Sequence, residues 1–170
     1  VVYVLSGNFD WRFTTESSPS LGFTQPANAA TGVELNTTFS MTFSSAIDKE
    51  PGKFMYIVDD NLDIIHTISI DTDVTIAGSE ATFTIPEGTL DFFTNYYILA
   101  DVDAFSSGGI PFSVLQSTSD WNFTTRDLPT YSTSPESFTD DVGLNETFTI
   151  TFSGPVTPIA GKNFYVYDIT

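Results

Sequence analysis

Apolar and polar residues alternate over much of this chain, which is the pattern of β-strands with one buried face. In the clearest case, Thr-Phe-Ser-Met-Thr-Phe at 38–43, the side chains of Phe39, Met41 and Phe43 are predicted to face a core. Further strands are predicted at 53–58, 64–70, 74–76, 81–85, 96–102 and 121–125. About seven strands within roughly 110 residues predict an all-β fold built of Ig-like β-sandwich modules.

The sequence also repeats itself over a long interval. The hexapeptide Asp-Trp-Arg-Phe-Thr-Thr at 10–15 recurs 110 positions later with a single change. A second match, at a spacing of 109 positions, pairs Leu35 with Leu144 and continues without a gap to Asp59 and Asp168. Self-similarity of this length indicates a chain made of tandem modules.

The repeat predicts one complete module and two partial ones. Residues 1–17 would be the last strands of a preceding module, 18–128 the complete sandwich, and 129–170 the first strands of a following module. Polar segments that contain proline, at 16–20 and 126–129, mark the two boundaries. We expect the chain to be an internal fragment, or the ordered part, of a longer protein. The last partial module would expose an unpaired edge unless further residues or a neighbouring copy complete it by strand pairing.

The charge and composition of the chain limit the kinds of molecule that it is expected to bind. The formal net charge is −17, from 22 acidic and 5 basic residues. This argues against nucleic acid and against a basic membrane-binding surface, and it leaves a solvated acidic surface or one that collects cations. No cysteine is present, which excludes disulfides and thiol chemistry but leaves the compartment open. No apolar run is long enough to predict membrane insertion in this segment.

No set of residues predicts a catalytic site, and we expect the protein not to be an enzyme. His66 is the single histidine, and no serine or cysteine motif accompanies it as a nucleophile would require. Carboxylate pairs are plentiful, but a glycosidase needs two of them across one cleft, which Ig-like modules seldom build.

Calcium is the sharpest hypothesis for a bound ligand. The segments Asp-Asp-Asn-Leu-Asp and Asp-Val-Asp cluster carboxylates near predicted strand ends, and calcium prefers such oxygen ligands. The candidate metal ligands are Asp59, Asp60, Asp63, Asp101 and Asp103. The competing interpretation is a solvated acidic turn, because neither segment has the twelve-residue pattern of an EF-hand.

Two further patterns concern glycans. Asn36, Asn122 and Asn145 lie in Asn-x-Thr sequences, which are glycosylation acceptors by pattern but equally ordinary turn residues. Trp11 and Trp121 could offer a sugar-stacking surface. Because each tryptophan alternates with a phenylalanine two positions on, we predict instead that both fill the space between two sheets.

The module boundaries carry a resemblance to a known family. Val-Glu-Leu-Asn at 33–36 and Val-Gly-Leu-Asn at 142–145 each precede a Thr-Phe-x-hydrophobic-Thr-Phe-Ser strand, and modules end in Asp-Trp-x-Phe-Thr-Thr. In these features the chain resembles the bacterial Ig-like domains of S-layer proteins of the SbsA type and of large cell-surface and secreted repeat proteins. The resemblance implies the fold, an extracellular or cell-surface location and a tandem arrangement, and it implies no shared catalytic residues.

The function expected from these observations is structural or adhesive. The chain would be a segment of an extracellular stalk or filament, with neighbouring modules or copies of the same protein as partners. The alternative is a module of a secreted enzyme or adhesin that binds a glycan or a surface protein through end loops, for which we single out the predicted loop at 103–111.

Overall fold

A computed structural model describes residues 17–165 and residue 167 of the chain. These residues form two compact units, of which the first extends to Arg126 and the second begins at Asp127. We call them the larger and the smaller unit. The strands predicted within 1–17, including Trp11, lie outside the described residues.

The larger unit is a β-sandwich. Its strands are β1 (Leu21–Gln25), β2 (Ala30–Val33), β3 (Phe39–Phe43), β4 (Asp48–Lys49), β5 (Phe54–Val58), β6 (Ile64–Ser69), β7 (Thr75–Ala77), β8 (Glu80–Phe83), β9 (Asn95–Ala100), β10 (Phe105–Ser107), β11 (Ile110–Phe112) and β12 (Asn122–Thr125). One sheet has the order β1-β3-β8-β7 and the other β2-β12-β9-β5-β6, while β11-β10-β4 form a small third sheet. The predicted all-β, Ig-like sandwich is confirmed.

The alternation of residues along β3 places its apolar side chains in the core, as predicted. Phe39, Met41 and Phe43 are buried, whereas the intervening Ser40 and Thr42 are half-buried. The largest fully buried side chains are Trp121, Tyr96, Phe39, Phe105, Phe123, Met41, Met55, Ile57, Ile68, Ile70, Ile98 and Leu115. They come from both main sheets, so the core lies between the sheets.

The segment predicted as a loop at 103–111 folds differently. It contains the β10–β11 hairpin, and the prediction of an irregular loop there is wrong. Gly108 and Gly109 form the two-residue turn with φ of 57° and 77°, values that favour glycine. The rings of Phe105 and Phe112 pack 5.6 and 5.9 Å from that of Phe43, which fixes the hairpin to the core. The binding alternative placed at this segment stays a prediction.

The smaller unit contains one antiparallel strand pair, β13 (Tyr131–Ser134) and β14 (Thr149–Phe152), within the residues described. These strands occupy the repeat positions of β1 and β3. At the end of the pair, the backbone N–H of Ser153 donates to the carbonyl of Thr130 (2.9 Å) and the N–H of Thr130 donates to Oγ of Ser153 (2.9 Å). Ser44 and Ser20 exchange the same two hydrogen bonds in the larger unit, each at 3.0 Å.

The backbone beyond the first strand also matches between the units. Phe138 and Asp141 have φ of 65° and 58°, and the residues 109 positions earlier, Ala29 and Gly32, have φ of 62° and 68°. Positive φ is uncommon for residues other than glycine. Both units have positive φ at the same two repeat positions, and three of these four residues are not glycine. This match indicates that both units build the same turn after their first strand.

Candidate functional site

The first and last parts of the larger unit meet along β2 and β12. These two strands run parallel, with Ala30 opposite Phe123 and Val33 opposite Thr125, whereas the other strand pairs described are antiparallel. The arrangement arises because the chain enters through β1 in one sheet and crosses at Pro26 to the other sheet. There β2 lies beside the last strand of the sandwich.

Backbone hydrogen bonds extend this pair at both ends. The N–H of Ala29 donates to the carbonyl of Asn122 (2.8 Å) at one end. The N–H of Arg126 donates to the carbonyl of Val33 (2.9 Å) at the other. The pairing therefore spans the whole length of the short strand β2.

A buried side-chain hydrogen bond reinforces the contact. The indole Nε1–H of Trp121 donates to the carbonyl of Pro26 (2.8 Å), just before β2, and the indole is fully buried. Its ring lies 6.0 Å from Phe39 and 6.1 Å from Phe83 in edge-on geometry. The prediction that Trp121 fills the space between the sheets is confirmed, and the indole also ties the last strand to the start of β2.

Asn28 adds a two-point contact at the same end. Its Nδ2 donates to the carbonyl of Ser119 (2.9 Å), and its Oδ1 accepts a hydrogen bond from the backbone N–H of Asn122 (2.9 Å). One side chain thus satisfies backbone groups on the segment that leads into β12.

At the other end, Arg126 contacts two side chains. Its Nε lies 2.9 Å from Oε2 of Glu34, and its guanidinium lies 5.3 Å from the ring centre of Phe92. Ion pairs at exposed positions contribute at most about 1 kcal/mol. We use the name terminal clamp for the paired strands β2 and β12 together with the contacts of Trp121, Asn28 and Arg126.

Thr125 holds the last strand to the interior. Its side chain is buried, and its Oγ1 donates to the carbonyl of Asp91 (2.6 Å) and accepts from the N–H of Thr94 (2.9 Å). The hydroxyl therefore satisfies backbone groups of the segment between β8 and β9. A buried polar group of this kind is costly to leave without partners.

The predicted calcium ligands at 59–63 lie in the turn between β5 and β6. Oδ1 of Asp59 accepts hydrogen bonds from the backbone N–H groups of Asn61 (2.9 Å) and Asp63 (3.0 Å), which closes the turn. This is the structural role of an Asx turn.

Asp60 points instead to the outer face of the five-stranded sheet. Its Oδ1 accepts hydrogen bonds from Nδ2 of Asn95 (3.0 Å) and from the hydroxyl of Tyr97 (2.9 Å). These two donors, Asn95 first, lower the pKa of Asp60 from its ordinary value. The hydrogen bond between Tyr97 and Asp60 also raises the pKa of the Tyr97 phenol.

Asp101 and Asp103 have separate partners. Asp101 accepts hydrogen bonds from the N–H of Phe54 (2.9 Å) and the hydroxyl of Tyr56 (3.1 Å), and Asp103 accepts from Oγ of Ser113 (3.0 Å). The pKa of Tyr56 is raised, mainly by desolvation and then by Asp101. Over the stretch of chain that the structure describes, no three His, Asp or Glu side chains lie close enough together to hold a metal ion. Calcium binding stays a prediction.

The remaining candidates lie apart from one another. Asn36 and Asn145 are exposed, whereas Asn122 is half-buried and its Nδ2 donates to the carbonyl of Thr118 (3.1 Å). His66 is half-buried on β6, opposite Ile57 of β5. The structure does not bring these residues together into one site.

The sandwich and its terminal clamp define an Ig-like structural module. The model of the bacterial Ig-like domain family matches residues 15–125, and the chain belongs to that family. No curated protein matches the sequence. Among the described residues, no helix is long and apolar enough to cross a membrane.

Proposed function

We propose that this chain is a load-bearing segment of a bacterial extracellular or cell-surface protein. In this proposal Ig-like modules of the SbsA S-layer type are joined in tandem as a stalk or filament. Membership of the bacterial Ig-like family supports a structural module of a surface protein. The observation that carries the mechanical role is the parallel pairing of β2 with β12.

The direction of the two strands determines how the larger unit would bear tension. The chain enters at the start of β1, crosses at Pro26 into β2 and leaves at the end of β12, and β2 and β12 point the same way. Tension between the ends of the unit pulls β2 toward its start and β12 toward its end. The two strands are then pulled past each other along their length. The hydrogen bonds between them are therefore loaded at the same time, instead of opening one after another. A pair loaded in this way resists extension until several bonds break together.

The smaller unit supports the tandem arrangement. It repeats the double hydrogen bond of Ser20 and Ser44 at Thr130 and Ser153. The acidic surface supports the same role, because a net charge of −17 keeps adjacent copies apart and soluble.

The test is forced unfolding of the full chain held between handle proteins at its two ends. Asn28→Ala removes two hydrogen bonds of the terminal clamp. We expect it to lower the force at which the larger unit opens and to raise the unfolding rate, which governs forced unfolding.

The matched control is Asp73→Ala, which also removes two hydrogen bonds, to Ser69 and Thr72, but at the link between β6 and β7. We expect this variant to keep the unfolding force of the parent chain even where its equilibrium stability falls. An equal loss of force in both variants would contradict a load-bearing role for the clamp.

A further inference from the structure

The first strand of the larger unit, β1, is held along one edge. Within the described residues it pairs with β3 and with no other strand. An open cleft of about 370 Å³ lies between β1 and the segment that leads to β12, lined in part by Leu21, Thr24, Val114 and Leu115. The pairing with β3 is itself irregular, because the register shifts between Leu21 and Thr24. A shift of this kind disrupts the ladder of hydrogen bonds locally.

The strand β1 also contributes little to the core. Leu21 is half-buried and packs against the core, whereas Phe23 is 84% exposed and Gly22 and Gln25 are exposed as well. Detachment of β1 would therefore uncover little apolar surface. Segments with few buried apolar contacts open locally at a low cost in free energy, without unfolding of the whole domain.

Firm contacts begin directly after β1. The carbonyl of Pro26 accepts the hydrogen bond of the buried Trp121 indole (2.8 Å), and the N–H of Ala29 donates to the carbonyl of Asn122 (2.8 Å). Both bonds join the chain to the segment that forms β12, and both lie at the terminal clamp. An opening that begins at the start of β1 therefore meets these contacts as soon as the strand ends.

We propose that β1 is a detachable strap. It opens from the edge of β3, beginning at Leu21, and the opening stops at Pro26 while the terminal clamp stays closed. The strap follows from contacts within the larger unit, and its role under tension rests on the proposed function. Because the chain enters through β1, tension reaches the strap first, and the clamp bears the full load only after the strap has opened.

Hydrogen exchange of backbone amides, followed by NMR on the full chain, tests the strap without tension. The N–H of Phe43 donates to the carbonyl of Ser79 on the β8 side (2.8 Å), whereas the N–H of Ser44 donates to the carbonyl of Ser20 on the β1 side (3.0 Å). Successive backbone groups of a strand point to opposite sides, so the N–H of Thr42 also faces β1. Thr42 and Phe43 are therefore a matched pair on one strand.

We expect Thr42 to exchange at least about tenfold faster than Phe43 after correction for intrinsic rates, because the opening of lowest free energy dominates exchange. Ala29, which lies beyond the stop, should likewise exchange at least about tenfold more slowly than Thr42. The variant Asn28→Ala removes two hydrogen bonds beside Ala29. It should speed exchange at Ala29 and leave the rate at Thr42 unchanged.

A disulfide between positions 20 and 44 closes the strap where its opening begins. Ser20→Cys with Ser44→Cys joins residues whose backbones are already hydrogen-bonded, and Cα atoms in such pairs lie about 5.5 Å apart, within the range of a disulfide. The chain has no other cysteine that could compete. We expect oxidation to slow exchange at Thr42 by at least about tenfold relative to the reduced form, which carries the same two substitutions.

Four results would overturn the proposal. Equal rates at Thr42 and Phe43 would mean that β1 does not open independently of β8. Equal rates at Thr42 and Ala29, or an equal gain at both in the Asn28→Ala variant, would exclude a stop at Pro26. An unchanged rate at Thr42 after oxidation would mean that its exchange does not arise from detachment of β1.

The exchange experiment and the force experiment fail separately. Expected exchange rates together with an equal loss of force in the Asn28→Ala and Asp73→Ala variants would leave the strap in place and reject the role of the clamp under tension. Equal rates at Thr42 and Phe43 together with a loss of force confined to Asn28→Ala would keep that role and reject the strap.

Discussion

The two units contain nearly the same local structure and differ in what surrounds it. Phe39, the first residue of β3, and Phe148, the residue just before β14, occupy equivalent repeat positions, yet the first is fully buried and the second is 69% exposed. The first has Phe83, Trp121 and Phe123 within 6.0 Å, ring centre to ring centre. Those partners come from strands about 40 to 85 positions further along the chain. The comparison shows that the local sequence determines the strand pair and its turn, whereas burial depends on distant segments.

The largest effect on stability is expected when the same side chain is removed from the larger unit, and the matched change is made in the smaller unit. Phe39→Ala should destabilise the larger unit by about 3–5 kcal/mol, because it leaves a cavity among three aromatic rings. Phe148→Ala should change stability by less than about 0.5 kcal/mol, as at other exposed positions. Urea unfolding measures both, with Trp121 as the fluorescent reporter in a Trp11→Phe background and circular dichroism for the whole chain.

The matched pair also checks the smaller unit itself. A cost of more than about 2 kcal/mol for Phe148→Ala would mean that its side chain is packed in solution, since such values are typical of buried positions. The contrast between the units would then be lost.

The next effect concerns the buried hydroxyl that holds β12. Thr125→Val keeps the shape of the side chain but leaves the partners at Asp91 and Thr94 unsatisfied, and we expect a loss of about 1–3 kcal/mol. The control is Thr124→Val on the same strand, whose half-buried hydroxyl makes one long hydrogen bond to Asn95 (3.3 Å). Urea unfolding should show a clearly smaller loss for the control. Equal losses would mean that burial of the Thr125 hydroxyl is not decisive.

The sequence predicted the features that depend on neighbouring residues. The alternation at 38–43 identified the buried face of β3, and the Trp-x-Phe pattern identified Trp121 as a core residue. The bond from its indole to Pro26 could not be predicted, because the two residues lie 95 positions apart and nothing local indicates that β2 pairs with β12. The β10–β11 hairpin did carry a local signal, the Gly-Gly pair at 108–109. Strands of three residues each were too short to show alternation.

The pH dependence of stability separates the units again, because position 169, the repeat equivalent of Asp60, is isoleucine. The pKa of Asp60 is lowered in the folded state by Asn95 and Tyr97. Its contribution is therefore present above the unfolded pKa, near 3.8, and is lost as the pH falls through the folded pKa. Asp60→Asn should flatten the acid limb of the stability curve. Urea midpoints between pH 6 and pH 2 measure this, and an unchanged acid limb would contradict it.

The hydrogen bond between Asp60 and Tyr97 also affects the pH dependence of stability at alkaline pH, with the opposite sign. The pKa of Tyr97 is raised in the folded state, so its contribution is present below the unfolded pKa of about 10 and is lost as the pH rises toward the folded value. Tyr97→Phe should reduce the alkaline decline and also raise the pKa of Asp60 toward its ordinary value. If Tyr97→Phe changed only the acid limb or only the alkaline limb of the stability curve, Asp60 and Tyr97 would not be coupled through this hydrogen bond.

The smallest expected effect is that of calcium, and it tests the acidic turns of the larger unit. A ligand that binds only the folded state adds about 0.4 kcal/mol when its concentration equals Kd, which corresponds to a rise in Tm of about 2 °C. We expect a shift no larger than this, because no three acidic side chains lie close enough together within the described residues to hold a metal ion tightly. Thermal unfolding with calcium and then with a chelator measures the shift, and Asp59→Asn combined with Asp63→Asn should abolish it. Magnesium at equal ionic strength is the control, because any divalent cation screens a chain of charge −17. An equal shift with magnesium would mean screening, and no shift with calcium would remove the prediction of a metal site.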